Sequence, residues 1–580
     1  MRMNRYRAFF ELFAGHGIRY LIGILFLIAI NIVMLTIPKL TGAAVDTLEH
    51  GKEGLSEYIW LFLMAGIAVS ILKFISRHLF LGSIRHLEFQ LRERLFRHAL
   101  RLPISYYETN GPGKVMALMT NDITSLRVSL GLGVMLFVDA LFFAVVSFVI
   151  MSHDMSFETA AVTLLPMPFL LLMMLGVTRT MRRRQRAAQE TYSDLTEFVQ
   201  ELFQGMPAIR AFNKEARSIE RFSDINLRNY TGNMKVAAAD AVIAPLTYVA
   251  PFICMATGMY ITGLMVIRGE LDVGDFVALN GYLFLIIGPL MGLGSLASVL
   301  QKGLASWDRI RNFFAIEAER ADESGETLPE GDIEIRNLSY VYEGTDYAAL
   351  SDVSVTIPFG AFYGIVGTPG SGKSTLFTLL SGLRTPERGR MFIAGRDIRD
   401  YPADAVRRGF SYVPAQPYVL GATVRENISF GEEEADARTD ARIGEAAASA
   451  ALERDLNERL KPAKSELREG GGDLSGGQRL RVNIARGLFK RAPYLLLDDS
   501  FSSLDRISAA HVSKALRQAE RRTILFVSHR AEALRDADCI LVFHEGRIVE
   551  TGTYDELMKY DSLYRKLYAD REGEEASNVE

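Results

Sequence analysis

The chain has 580 residues, 49% of them hydrophobic and 23% charged. That much charge excludes a wholly membrane-embedded chain, and that much apolar content excludes a disordered one. A net charge of −4 gives no basic field of the kind that marks nucleic acid as the main partner. Two cysteines, Cys254 and Cys539, exclude a disulfide framework and a four-cysteine zinc site.

Six long apolar stretches precede residue 305: Tyr20–Ile37, Tyr58–Leu72, Leu132–Met151, Ala160–Val177, Ala241–Ile267 and Phe276–Leu300. A membrane helix needs about 20 mainly apolar residues, so these predict six spans. The first follows Arg2, Arg5 and Arg7 but is long for a signal peptide, and five more follow it, which favours an uncleaved helix. Basic residues crowd the N-terminus and the second and fourth connections (Arg77 to Arg101; Arg179 to Arg186), whereas the odd-numbered connections are short and acidic or neutral. The positive-inside rule then predicts a multi-pass inner (plasma) membrane protein with both termini in the cytoplasm. The two basic connections are also long. Leu87, Leu91, Leu95 and Ala99 repeat at spacing four, which predicts helices continuing past the bilayer into the cytoplasm.

The membrane half is expected to end near residue 312. A polar, acidic linker is placed at 313–331, an α/β domain at 332–570 and an acidic, disordered tail at 571–580. Within the α/β part, β-rich runs at Ile333–Val341, Tyr363–Val366, Tyr494–Leu497, Thr523–Val527 and Cys539–Phe543 alternate with helical patterns, as in a mainly parallel sheet. Glu432–Leu460, rich in Ala, Glu and Arg, reads as a helical insert.

Two motifs carry chemistry. Gly367, Thr368, Gly370, Ser371, Gly372, Lys373 and Ser374 fit the phosphate-binding pattern G-x-x-x-x-G-K-[ST], between a strand and a helix that opens with Thr375. Backbone N–H groups close around phosphates there, Lys373 reaches the β- and γ-phosphates, and Ser374 binds Mg²⁺. The apolar strand Tyr494–Leu497 ends in Asp498 and Asp499, which places Asp498 at the metal in the Walker B role. His529, just beyond another strand, is a candidate contact to the γ-phosphate.

With these motifs comes Leu474-Ser475-Gly476-Gly477-Gln478, about 20 residues before the Walker B strand. Here the chain resembles the ATP-binding cassette exporters along essentially its whole length. The resemblance implies a six-helix all-α transmembrane domain followed by an α/β P-loop nucleotide-binding domain, with ATP and Mg²⁺ as cofactors. It also implies a half-transporter that pairs with a second subunit. In the family, the LSGGQ of one cassette closes over ATP held by the other cassette's P-loop, so Ser475, Gly476, Gly477 and Gln478 would contact nucleotide across a dimer. Tyr342 matches the aromatic that stacks on adenine, Ser503-Leu504-Asp505 the D-loop, and Glu469-Gly470 the short motif preceding the signature. Gly113–Asn121 and Met206–Phe212 resemble the two coupling helices.

Two departures from the family pattern stand out. The family's catalytic base is a glutamate directly after the Walker B aspartate, and this chain has Asp499, one methylene shorter. A base displaced by about 1 Å loses roughly a hundredfold in rate, so the site is expected to bind Mg·ATP and hydrolyse slowly. Counted back from Thr423, the Q-loop glutamine falls on Ala415, with Gln416 one place late as a stand-in metal and nucleotide contact. Damaged hydrolytic residues beside an intact LSGGQ point to the degenerate-site subunit of a heterodimeric exporter of amphiphilic drugs or lipids. The alternatives are a homodimeric lipid or drug flippase and an ATP-gated regulatory or channel-like subunit. Asp139, inside the third span, is costly in lipid and is expected to face a cavity or a polar partner.

Overall fold

The computed structural model describes residues 17–51, 54–154, 157–164, 166–319, 325–430, 437–453, 466–518, 522–528, 530–559 and 562–566. The chain divides into two compact units, Met1–Leu100 with Pro112–Glu317, and Arg101–Gly111 with Ala318–Glu580.

The first unit is helical throughout. Its long helices are α1 (Gly17–Glu49), α2 (Leu55–Ala99), α5 (Val134–Asp154), α7 (Pro166–Gln204), α9 (Glu215–Ile267) and α10 (Val273–Phe314). Between α2 and α5 lie α3 (Ile104–Ala117) and α4 (Ile123–Val128), and the short α6 (Phe157–Leu164) precedes α7. All six apolar stretches fall on helix, the fourth being shared by α6 and α7. Among the described residues three helices, Gly17–Glu49, Leu55–Ala99 and Ile104–His153, are long and apolar enough to cross a membrane. The α2 extension behaves as its spacing predicts: Leu87, Leu91, Leu95 and Ala99 are all buried, on one stripe of the helix.

Close packing of α1 on α2 is set by Gly23, where a Cβ would stand 2.8 Å from that of Phe80. The Ser76 hydroxyl donates to the Gly23 carbonyl at 2.9 Å, and Tyr20 stacks on Phe80 with centroids 4.6 Å apart. The intramembrane carboxylate has a polar partner, since Asn31 Nδ2 of α1 donates to Asp139 at 2.8 Å. Two π-helical turns, Leu118–Asp122 and Ser129–Gly133, flank α4. Asp122 in the first is buried and held by Arg309 and by the Ser306 hydroxyl of α10, the latter at 2.8 Å.

The second unit holds two sheets. The larger has order β10-β9-β3-β8-β7-β6, from β3 (Phe362–Gly367), β6 (Phe410–Val413), β7 (Tyr494–Leu497), β8 (Thr523–Val527), β9 (Cys539–His544) and β10 (Arg547–Gly552). Five of its strands run parallel and β10 closes one edge antiparallel. Strands β7 and β8 are buried along their whole length, the continuous apolar pattern of a sheet covered on both faces. The second sheet, order β2-β1-β4-β5, is antiparallel and built from β1 (Ile333–Val341), β2 (Ala348–Ile357), β4 (Met391–Ile393) and β5 (Arg396–Asp397). The sequence places β1 but not its antiparallel partners. Of the helical insert, Ala437–Ser449 is helix, while 431–436 and 454–465, like the tail, lie outside the described residues.

The chain breaks just ahead of the first candidate coupling segment, Gly113–Asn121. Gly111 has φ 65 and ψ 162, which breaks α3 in two, and Pro112 opens the second piece, where a missing N–H costs nothing. The segment grouped with the cassette is Arg101–Gly111, whereas Gly113–Asn121 continues the membrane unit. The second segment is the short helix Met206–Ala211, with no buried residue and with Phe203 and Phe212 exposed at its flanks.

Candidate functional site

Strand β3 runs between β8 and β9 and ends at Gly367, where the chain turns sharply. A side chain there would put its Cβ 2.3 Å from the Phe543 carbonyl oxygen, so the loop passes over β9 only because the residue is glycine. Gly372, at φ 98, caps the following helix α11 (Lys373–Leu380), and its Cβ would lie 2.5 Å from the Ala349 carbonyl. Both positions need glycine for reasons internal to this chain.

Inside the loop Lys373 is buried, and its ammonium donates to the carbonyls of Gly367 (3.0 Å) and Thr368 (2.8 Å) and to the Ser371 hydroxyl (3.2 Å). Burial lowers its pKa, opposed by the charges of Asp498 and Asp499. Asp498 ends β7, with its amide tied to the Val413 carbonyl of β6 at 2.9 Å. Its carboxyl is pushed up by burial, against which hydrogen bonds from Ser374 and Tyr412 favour the ionised form. Tyr412 Oη donates to it at 3.3 Å. Lysine and serine from the loop and aspartate from the end of β7 thus converge on one phosphate- and metal-sized locus.

Tyr342, just past β1, bonds through its hydroxyl to Thr375 Oγ1 at 2.9 Å. One face of its ring is covered by the Arg384 guanidinium, 4.4 Å from the centroid. Arg384 is itself held by the Tyr340 hydroxyl at 3.2 Å and by Glu108 of the Arg101–Gly111 segment. A cavity of about 420 Å³ opens beside the loop, lined by Tyr342, Tyr347, Gly370 to Thr375, Glu545 and Gly546. An aromatic wall next to a ring of backbone N–H groups and a lysine suits a base joined to a polyphosphate.

Asp499 has a left-handed backbone, φ 47. Its carbonyl accepts from the Ser502 hydroxyl at 3.0 Å, while its Oδ1 is buried without a hydrogen-bond partner among the described residues. A buried carboxylate oxygen left unpaired is costly, and a metal-bound or attacking water would satisfy it. The donor set, hydroxyl and carboxylate oxygens only, suits Mg²⁺. Ala415 and Gln416 are both exposed, in the turn after β6. His529 lies outside the described residues.

The LSGGQ segment stands apart from this cavity, none of whose lining residues it supplies. Ser475 and Gln478 form a reciprocal capping box on α15 (Gly476–Phe489), the Ser475 hydroxyl accepting from the Gln478 amide at 3.2 Å and the Gln478 side chain from the Ser475 amide at 2.9 Å. That cap leaves the Ser475 O–H free to donate outward. A Cβ at Gly476 would meet nothing within 4 Å, while at Gly477 it would sit 3.0 Å from the Ser503 carbonyl. Asp505 of the D-loop caps the next helix through the Ser508 amide (2.9 Å). Sequence reasoning missed Tyr412, Arg384 and Glu108, whose contacts to Asp498, Tyr340 and Arg384 span 86, 44 and 276 residues.

A P-loop and Walker B strand in a parallel sheet, an adjoining LSGGQ-capped helix, and a unit of long apolar helices together define a membrane transporter driven by a nucleotide-binding cassette. Comparison with known proteins agrees. Residues 20–290 match the family described as ABC transporter transmembrane region, and residues 350–502 the family described as ABC transporter. The chain is 32% identical over 562 residues to the probable multidrug resistance ABC transporter ATP-binding/permease protein YheI of Bacillus subtilis, covering 96% of each. It is 32% identical over 495 residues to the ATP-dependent lipid A-core flippase of Aromatoleum aromaticum, covering 84% of this chain and 81% of that one. A bacterial Atm1-family ABC exporter solved with ATP bound superposes with a TM-score of 0.80 at 22% identity, over 96% of this chain and 99% of that one. The chain belongs to the ABC transporters, as an exporter with its membrane and ATP-binding domains on one polypeptide.

Proposed function

We propose that this chain is one half of a heterodimeric exporter, carrying the slower of two ATP sites and lending its signature segment to the faster one. The observation that carries the proposal is Asp499 in the position of the catalytic base, one methylene short. Lys373 holds the β- and γ-phosphates, the loop amides from Gly367 to Thr375 wrap them, and Tyr342 stacks on the base. Ser374 and Asp498 hold Mg²⁺, with Gln416 as a further ligand, and His529 supports the γ-phosphate. Mg²⁺ screens the phosphate charge when bound. Asp499 then orients water from too far back for fast turnover. The intact Ser475, Gly476, Gly477 and Gln478 complete the partner's site. The open space at Gly476 supports this assignment, since nothing in the same chain requires glycine there. The exposed Phe203 and Phe212 beside Met206–Ala211 support a docking face for a second subunit.

The cytoplasmic placement of both termini rests on arginine distribution, and the domain limits at 312, 331 and 570 on composition. Amphiphilic drugs or lipids are the proposed cargo, in keeping with the names of the relatives. A homodimeric flippase is the second reading, favoured by the lipid A-core flippases among those relatives. Steady-state ATP hydrolysis by the chain alone in nanodiscs, beside Asp499→Glu, separates the two. Negligible native turnover that the substitution rescues supports the heterodimer, and robust native turnover overturns it in favour of a self-sufficient homodimer.

A further inference from the structure

An open groove of about 700 Å³ lies where α1 packs on α2, lined by Arg19, Arg77, His78, Arg85 and His86 together with Leu79, Leu81, Gly82 and Ser83. No acidic residue lines it. Arg85 is already engaged with Glu88 at 3.1 Å. Arg19 and Arg77 are exposed, and neither makes an ion pair among the described residues.

The register of the two helices fixes how deep these charges sit. The helices run antiparallel, with Tyr20 stacked on Phe80 and Ser76 bonded to the Gly23 carbonyl, so Arg19 stands level with residues 80–83. The run of α2 from Tyr58 to Ser76, apolar to Leu72 and carrying one cation, Lys73, a turn before its end, is about 28 Å long at 1.5 Å per residue, close to the roughly 30 Å hydrocarbon core. Arg77 therefore marks the edge of the hydrocarbon. Arg85 lies about 12 Å further out along the same helix, with Arg19 between them. These cations line the layer that lipid headgroups occupy. Below them Phe74 is 73% exposed on the hydrocarbon side of Arg77, and among them Leu21 and Leu81 are 59% and 43% exposed. The floor is small, since at Gly82 an added Cβ would meet nothing.

We propose that this groove is a binding site for the phosphate headgroup of an anionic phospholipid, its glycerol against Leu21 and Leu81 and its acyl chains descending past Phe74. Guanidinium groups match phosphate oxygens in paired, charge-assisted hydrogen bonds, and basic pockets between membrane helices select acidic headgroups. Assignment to the cytoplasmic leaflet rests on the topology proposed above. The binding itself does not, because either leaflet offers such headgroups.

The test is native mass spectrometry of the full-length chain in a zwitterionic detergent, titrated with phosphatidylglycerol or with phosphatidylcholine of the same acyl chains. The native chain is expected to retain phosphatidylglycerol preferentially. The double variant Arg19→Ala, Arg77→Ala is expected to lose at least about tenfold of that preference, with an unchanged melting temperature. A control variant, Arg217→Ala with Arg228→Ala on α9, is expected to keep it. Equal retention of both lipids by the native chain, or an unchanged preference in the double variant, overturns the proposal. Displacement of the lipid by millimolar glycerol phosphate also overturns it, since the site would then take a soluble phosphate. None of these readouts depends on ATP turnover, so the result stands apart from that at Asp499.

Discussion

The P-loop and the LSGGQ segment are both glycine-rich turns leading into helices, yet Gly367 and Gly372 of the first and Gly476 of the second stand in opposite surroundings. At Gly367 and Gly372 the obstacle is this chain's own backbone, 2.3 and 2.5 Å from where a Cβ would stand. At Gly476 there is no obstacle at all. A glycine with internal neighbours is explained by the fold that contains it, whereas one facing open space is explained by what arrives from outside. On the function proposed above, the first loop is complete in one chain and the second is half of a site.

The sharpest way to break this contrast is to add the Cβ. Gly372→Ala pays for a left-handed backbone and for overlap with Ala349, so it is expected to abolish ATP binding and to lower the cassette's melting temperature by about 5 °C or more. Gly476→Ala is expected to leave melting and ATP binding unchanged while reducing hydrolysis by the assembled transporter. Thermal unfolding beside nucleotide titration checks both, and a melting loss at Gly476 would erase the distinction. Next in size is Asp499→Glu, expected to raise turnover by about ten- to a hundredfold, read by phosphate release. Arg384→Ala removes a cation from the Tyr342 ring and is expected to weaken ATP binding by about 3- to 30-fold. Tripolyphosphate, which has no base, should bind the variant as before, and an equal loss for both ligands would mean that Arg384 only supports the fold.

The smallest effect concerns the sheet behind the P-loop, where Cys539 pairs with Tyr363 and burial raises its thiol pKa. In a Cys254→Ser background its alkylation at pH 8 is expected to run several-fold slower than that of a free thiol, because the thiolate is scarcer, and to accelerate as pH rises further. Timed labelling with and without denaturant measures it.

Residues whose chemistry is decided by near neighbours could be read from the sequence. Gly367 to Thr375, Asp498 and the capping pair Ser475 and Gln478 act within a few positions of one another, and the spacing of Leu87, Leu91, Leu95 and Ala99 announces its buried face. What could not be read depends on distant segments meeting. Tyr412 reaches Asp498 only because β6 and β7 lie side by side. Arg384 reaches Tyr342 only because α11 ends near the end of β1. The break inside α3 has a local cause instead: Gly111 takes φ 65, which ends the preceding short helix.

The Arg101–Gly111 segment has a consequence for biosynthesis. Glu108 is tied to Arg384, 276 residues later in the chain. The Glu319 amide likewise bonds the Arg101 carbonyl at 2.8 Å. At about 5–20 residues per second, a ribosome needs roughly 15 to 55 s to travel from one end of the Glu108–Arg384 contact to the other. Through that interval the segment is already made while its partner residue is not. The nascent exporter therefore carries this segment without its partner for nearly half of its own synthesis, a window open to chaperones and proteases that closes when the cassette emerges.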